Sequence, residues 1–112
     1  MILTNGASHE AIKTLRRNNM DEKKIREIVV KIRERFEGMG IPKRHFEAHL
    51  VKPKRDQVLM HCHAMLDTIE KYLDKGNLEK ANRYFGSVQA CLWSLGMVSL
   101  QSIRDENSVF VN

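Results

Sequence analysis

Hydrophobic residues recur along this chain at the three- and four-residue spacing of amphipathic helices, sustained over several turns in three stretches. We predict long helices over about 21–37, 54–75 and 77–95, each turning one apolar stripe toward a common core. The stripes consist of Ile25, Ile28, Val29, Ile32 and Phe36 in the first, of Leu59, Cys62, Leu66, Ile69 and Leu73 in the second, and of Leu78, Ala81, Phe85, Val88 and Leu92 in the third.

Start and stop signals set the ends of these helices. Asp21 and Asn77 are side chains that accept hydrogen bonds from the first turn of a helix, and Gly96 terminates the third one. The pair Gly76-Asn77 stops one helix and starts the next. Because so short a turn brings neighbouring helices back on one another, we predict an antiparallel hairpin at 75–77.

Three shorter helices complete the prediction: Ser8–Arg17, Lys43–Val51 behind Pro42, and Ser99–Glu106. The fold class is therefore all-α, a small helical bundle with no convincing strand. At 112 residues the chain is predicted to form a single helical domain over 1–112.

Composition agrees with an ordinary globular protein, with 42% hydrophobic and 29% charged residues. Met1 to Asn5 leads directly into polar residues, and no apolar run approaches the ~20 residues that span a bilayer. Cys62 and Cys91 fall on apolar helix faces, where they are expected to be small core residues rather than a disulfide. We expect a cytoplasmic protein without a membrane partner.

A net charge of +5 attracts polyanions but does not identify a nucleic-acid-binding protein. The basic residues that could meet phosphates form a strip around two prolines: Lys43, Arg44, Lys52, Lys54 and Arg55. Phe46 is the one aromatic residue among them, and the helical pattern turns it inward, so base stacking is unsupported. Nucleic-acid binding by this strip is the alternative function.

Histidines form the densest chemical cluster, and His45 and His49 would share one face of a helix. Glu47 follows His45 by two residues, whereas zinc proteases need the glutamate directly after the first histidine. A site joining these two to His61 or Cys62 requires two helices to meet there. We predict no metal and no cofactor.

Neither DNA reading nor catalysis has a clear basis in the remaining motifs. The turn at Gly96 suggests a helix-turn-helix, but Ser102 occupies the position that needs an apolar residue, and Asp105 and Glu106 would repel phosphate. Asp67, Glu70 and Asp74 share a helix face, where pairing with Lys71 or Lys75 is expected. The serines lack a nucleophile elbow, and we predict no enzymatic activity.

A protein-contact surface is the favoured function class. Its candidate residues lie on the third long helix: Arg83, Tyr84, Gln89 and Trp93. Trp93 lies off the main apolar stripe, where it either anchors a partner or is covered by the last helix. Gly86 in the same helix is small enough to admit a close neighbouring helix, and a homodimer is one form of partner considered.

The stretch from Leu78 to Asn107 resembles small helical proteins of temperate bacteriophages and prophages. The residues that carry the resemblance are Leu78-Glu79-Lys80-Ala81-Asn82-Arg83, Gly86, Val88-Gln89, Leu92-Trp93, Gly96, Ile103-Arg104-Asp105 and Asn107. That family pattern has no assigned activity, so the resemblance implies a setting rather than a mechanism. It implies an accessory phage or prophage protein that binds and modulates a host or defence protein.

Overall fold

The computed structural model describes residues 21–47, 50–105 and 110–111, and the predicted helix Ser8–Arg17 lies outside them. Within these residues there are four α-helices: α1 (Glu22–Gly38), α2 (Arg55–Asp74), α3 (Leu78–Ser94) and α4 (Leu100–Arg104). The all-α bundle of three longer helices is confirmed, and each long helix begins and ends within one residue of its predicted bounds. Among the described helices, none is long and apolar enough to cross a membrane.

α1 forms because a capping residue precedes a regular apolar stripe. The Asp21 carboxylate accepts a hydrogen bond from the Lys24 amide at 2.9 Å, which satisfies one free donor of the first turn. All five predicted stripe residues, from Ile25 to Phe36, are completely buried. The chain leaves the helix through Gly40, whose φ of +71° lies in the left-handed region that favours glycine.

The turn between α2 and α3 folds the two helices against each other. Gly76 has a φ of +76°, and the Asn77 amide donates to the Tyr72 carbonyl at 2.9 Å. The Asn77 side chain then caps α3 by accepting from the Lys80 amide. Packing between α2 and α3 is the most extensive in the bundle, and it confirms the predicted antiparallel hairpin.

α1 lies along this hairpin and is tied to α2 by ion pairs. Arg33 contacts Glu70 at 2.6 Å and Asp67 at 3.0 Å, and Arg26 contacts Asp74 at 2.8 Å. The predicted pairing of these acids with lysines of their own helix is therefore wrong. Arginines of α1 reach the same carboxylates from across the interface, which spacing within a single helix does not reveal.

The connection between α1 and α2, residues 41–54, is irregular wherever it is described, so the predicted helix Lys43–Val51 is wrong there. The Leu50 amide donates to the Glu47 carbonyl at 3.0 Å within the connection, and several other polar groups bond to α2. His63 Nδ1 donates to the Ile41 carbonyl at 2.7 Å, and the Arg44 amide donates to the Met60 carbonyl at 3.2 Å. The Phe46 amide donates to His61 Nδ1 at 3.4 Å. These bonds supply partners that a helix would otherwise provide.

The chain after α3 closes one end of the bundle. Ser99 caps α4 by accepting from the Ser102 amide at 3.0 Å, as its position predicted. Val98 and Phe110 form an isolated antiparallel bridge, and the Val111 amide donates to the Met97 carbonyl. Arg35 of α1 lies over the Phe110 ring, 5.3 Å from its centroid. The sequence leaves open whether the residues after α4 pack on the bundle. In the structure, Phe110 packs against the core.

Candidate functional site

The outward side of α3 carries an unusual set of residues for a helix surface. Arg83, Gly86, Ala90 and Trp93 follow one another at helical spacing and are all exposed; we call them the α3 outer face. No charged residue occurs between Tyr84 and Ile103, a stretch of 20 residues. The exposed surface of the last turns of α3 is therefore neutral, in contrast to a normal solvated helix face.

Trp93 is the largest exposed apolar side chain of this face. It is 51% exposed, which resolves the sequence-level choice between exposure and burial under the last helix. An indole carries a large apolar surface and one N–H donor, a combination enriched at protein interfaces. The position of Trp93 fits a contact residue.

Gly86 lies two turns before Trp93 and also faces outward. A Cβ built on Gly86 would meet no atom within 4 Å, so no neighbouring helix of the described chain approaches it. Gly86 therefore packs against no helix of the described chain, and the space for a close neighbouring helix is unoccupied there. Ala90, a second small exposed residue, lies between Gly86 and Trp93 on this face, and sequence reasoning missed it. The i, i+4, i+7 spacing of the three residues was the available signal.

Arg83 completes the face at its charged end. Its only ion pair within the described residues is with Glu79, at 3.6 Å, and the two side chains are 71% and 88% exposed. Exposed pairs of this kind contribute ~0–1 kcal/mol to stability, so little holds the guanidinium in place. Arg83 is available to a partner.

Tyr84 and Gln89 do not belong to this surface. Tyr84 is half-buried and stacks on Tyr72 of α2, with ring centroids 5.5 Å apart and planes 3° from parallel. Gln89 is buried at 7% exposure, because it follows Phe85 by four residues and precedes Leu92 by three. The expectation that Gln89 offers a surface contact is corrected by its burial.

The basic strip predicted for nucleic acid is exposed, but several of its cations contact other groups of the chain. Lys43 pairs with Asp67 at 3.0 Å, and Arg55 donates to the Leu95 carbonyl at 2.9 Å. Arg44 lies over the Phe46 ring, 5.1 Å from its centroid. Lys52 and Lys54 remain exposed in the connection. Intramolecular contacts thus engage three of the five cations.

Charge pairing also affects acid titration at the α1–α2 interface. Burial alone would raise the pKa of the Asp67 carboxyl, but hydrogen bonds and charges from Lys43 and Arg33 outweigh it, so the pKa lies below its usual value. Asp67 is therefore ionised at neutral pH and holds Lys43 against α2.

The described histidines and both cysteines lie around the 41–54 connection. The rings of His45 and His61 meet edge to face with centroids 5.6 Å apart. The pKa of His61 is lowered, mainly by burial of the ring and to a smaller extent by the charge of nearby His45. Burial, and then contact with Cys91, raises the pKa of the Cys62 thiol to about 12. Both cysteines are free thiols, as predicted.

Metal binding finds no built site in the part of the chain that the structure describes. No group of three or more His, Cys, Asp or Glu side chains there could hold a metal ion. His49, half of the predicted pair with His45, lies outside the described residues. His63 is buried and committed through Nδ1 to the Ile41 carbonyl.

Comparison with protein-family models, curated proteins and solved structures finds no match to this chain.

Proposed function

We propose that this chain is a non-enzymatic protein-binding domain whose contact surface is the α3 outer face. The partner proposed is a host or defence protein in a bacterial cell, the setting implied by the resemblance to phage and prophage proteins. The single observation that carries the proposal is the 51% exposure of Trp93 on a helix face that carries no charge after Arg83.

Water solvates the α3 outer face less favourably than it solvates a charged helix face. Lysine and glutamate side chains on an ordinary outer face are well hydrated and gain little when covered. Burial of an exposed indole is favourable by about 25 cal/mol per Å² of apolar area removed from water. Neighbouring Gly86 and Ala90 bring few rotamers to be immobilised, so covering this face costs little side-chain entropy.

The alternative, nucleic-acid binding, has weaker geometric support. A phosphate backbone would need Lys43 released from Asp67 and Arg55 released from the Leu95 carbonyl. Lys52 and Lys54 alone would contribute two cations, which gives a shallow salt dependence. The two functions therefore differ in how strongly binding depends on salt concentration. They also differ in whether binding depends on the basic strip or on Trp93.

The test places a photo-reactive benzophenone amino acid at Ser94, an exposed position beside the α3 outer face, and at Lys31 on α1 as the matched control. Irradiation of bacterial cells should link the Ser94 variant, but not the Lys31 variant, to a host protein identified by mass spectrometry. The adduct should survive nuclease digestion. It should also form when a lysate is irradiated at 0.5 M salt, roughly three times physiological ionic strength.

A second substitution connects the adduct to the indole. Trp93→Ala should reduce the adduct at least tenfold, since truncating a central aromatic anchor typically costs about 2 kcal/mol of binding energy. Val30→Ala, at a side chain 46% exposed on α1, should leave the adduct unchanged. Equal adducts from both labelled positions, or an adduct removed by nuclease, would contradict the proposal.

A further inference from the structure

The α3 outer face has a spacing that repeats itself when read backwards. Arg83 and Trp93 lie five residues before and after Val88, and Gly86 and Ala90 lie two residues before and after it. At a rise of about 1.5 Å per residue, these pairs lie about 7.5 Å and about 3 Å on either side of the level of Val88. The face thus has large and charged residues at its ends and small residues at its middle.

This symmetry defines what a second α3 helix would meet. If two copies of α3 cross antiparallel with a twofold axis at the level of Val88, each Trp93 comes level with Arg83 of the second copy. Each Gly86 comes level with Ala90 of the second copy. An arginine over an indole is a favourable cation–π contact, and it would form twice. Small residues at the crossing allow the two backbones to approach closely.

The structure leaves each of these groups ready for that contact. Among the described residues, the one ion pair of Arg83 is its exposed 3.6 Å contact with Glu79, and the Trp93 side chain is half exposed. Outside the backbone of α3 itself, no described atom lies within 4 Å of the Cβ position of Gly86. The face has no charge at its centre, so two copies bring no like charges together there.

We infer that the α3 outer face binds a second copy of this chain in an antiparallel, twofold-symmetric pair. The inference rests on the proposed function in one respect, namely that this face binds protein. A twofold arrangement uses the same patch on both copies and closes at two chains, so it predicts dimers and no larger assembly. A host protein that uses the same face would compete with the second copy.

The contact is a single helix pair, so the dimer is expected to be weak. Interfaces below about 1,200 Å² of total buried area are generally transient, which implies dissociation in the micromolar range. Sedimentation equilibrium of the purified chain, from about 5 to about 500 μM on that basis, should show a monomer–dimer equilibrium. A monomer throughout this range would overturn the inference.

Two substitutions on the face should abolish the dimer, and one elsewhere should not. Trp93→Ala removes two indole contacts per dimer and should weaken association at least tenfold. Ala90→Leu adds a bulky side chain at the crossing, away from the core, and should leave a monomer with unchanged thermal unfolding. Val30→Ala on α1 should dimerise like the unmodified chain. A dimer that survives both face substitutions would place the interface elsewhere.

Orientation is tested by cross-linking two variants. Chains carrying Gly86→Cys and Ala90→Cys are mixed and mildly oxidised, and the linked peptides are mapped so that native Cys91 is distinguished. The antiparallel pair predicts that residue 86 of one copy links to residue 90 of the other. Predominant 86–86 and 90–90 links would indicate a parallel pair and contradict the inference.

The dimer and the proposed function fail in different ways. A purified chain that stays monomeric, while Ser94 still gives a Trp93-dependent adduct with a host protein, removes the dimer and leaves the proposed function. A dimer broken by Trp93→Ala, with no host adduct in cells, leaves the dimer and removes the host partner.

Discussion

α1 and α3 are both 17 residues long and both bury one apolar stripe, yet their outer faces are chemically opposite. The outer face of α1 alternates charges of both signs, including Lys23, Glu27, Lys31 and Glu34. The outer face of α3 after Arg83 is neutral and ends at an exposed indole. A charged face is satisfied by water alone, whereas the α3 outer face becomes more stable when it is covered.

The two helices also differ in how they are held to α2. Arg26 and Arg33 attach α1 by ion pairs with three acids of α2. α3 meets α2 mainly through apolar packing and the Tyr72–Tyr84 stack. Arginines of α1 are thus paired inside the chain, whereas α3 carries no charge after Arg83 and its outer surface is exposed to a partner.

The largest expected effect tests whether the inner faces of the two helices are equivalent. Phe36 of α1 and Phe85 of α3 are both almost completely buried. Phe36→Ala and Phe85→Ala should each lower the free energy of unfolding by about 3–5 kcal/mol, because each leaves a cavity in the core. Urea unfolding followed by circular dichroism measures it. A loss below about 1 kcal/mol for either variant would mean that its helix is not packed as described.

The next effect concerns the polar attachment of α1. Arg33→Ala should destabilise the fold by about 1–2 kcal/mol, since it leaves Glu70, which is 29% exposed, and Asp67 without their shared partner. Arg26→Ala is the matched control, because its partner Asp74 is 69% exposed and the pair is screened by water. Its loss of stability should be clearly smaller than that of Arg33→Ala. If both variants lost the same free energy of unfolding, partial burial of the Arg33 ion pairs would add nothing to the stability of the fold.

A smaller effect of opposite sign is expected on the α3 outer face. Gly86→Ala should stabilise the chain by about 0.5–1 kcal/mol, because alanine favours the helix and its Cβ meets no atom within 4 Å. Thermal unfolding at a concentration where the chain is monomeric measures the change. Destabilisation would show that part of the chain covers Gly86, and the contrast between the two outer faces would then be lost.

Sequence patterns predicted the helices well because their signals are local. The apolar spacing of α1, α2 and α3 and the caps at Asp21 and Asn77 depend on residues within a few positions of each other. The same reasoning failed at 41–54, since the backbone there bonds to Met60, His61 and the His63 ring of α2. Such long-range partners leave no periodic signal.

The candidate site could be predicted only in part, for related reasons. Its position along the helix places Trp93 off the apolar stripe. The exposure of its side chain, however, depends on the path of the chain after Gly96, which residue spacing within α3 does not predict. Gln89 was misplaced although its distance from Phe85 and Leu92 indicated burial. The interhelical ion pairs of Asp67 and Glu70 needed the relative placement of α1 and α2.

The smallest expected effect is a pH dependence of the α1–α2 side that the α3 outer face does not share. The pKa of Asp67 is lowered in the folded chain, so its ionised form stabilises the fold above the pKa of the unfolded state, about 4. This contribution is lost as pH falls through the folded pKa. Because Asp67 is 51% exposed, solvent screening limits it to about 0.5 kcal/mol.

Asp67→Asn isolates this contribution, because the amide keeps the shape of the side chain and removes its charge. The melting temperature of the variant should lie slightly below that of the unmodified chain at pH 6–7, a range chosen well above the carboxyl pKa. The two should converge below about pH 3. Asp74→Asn, at a more exposed carboxylate, serves as the control and should change less. A difference that persists unchanged at low pH would mean that Asp67 acts through shape or hydrogen bonding rather than through charge, and the ion pairs would then not distinguish α1 from α3.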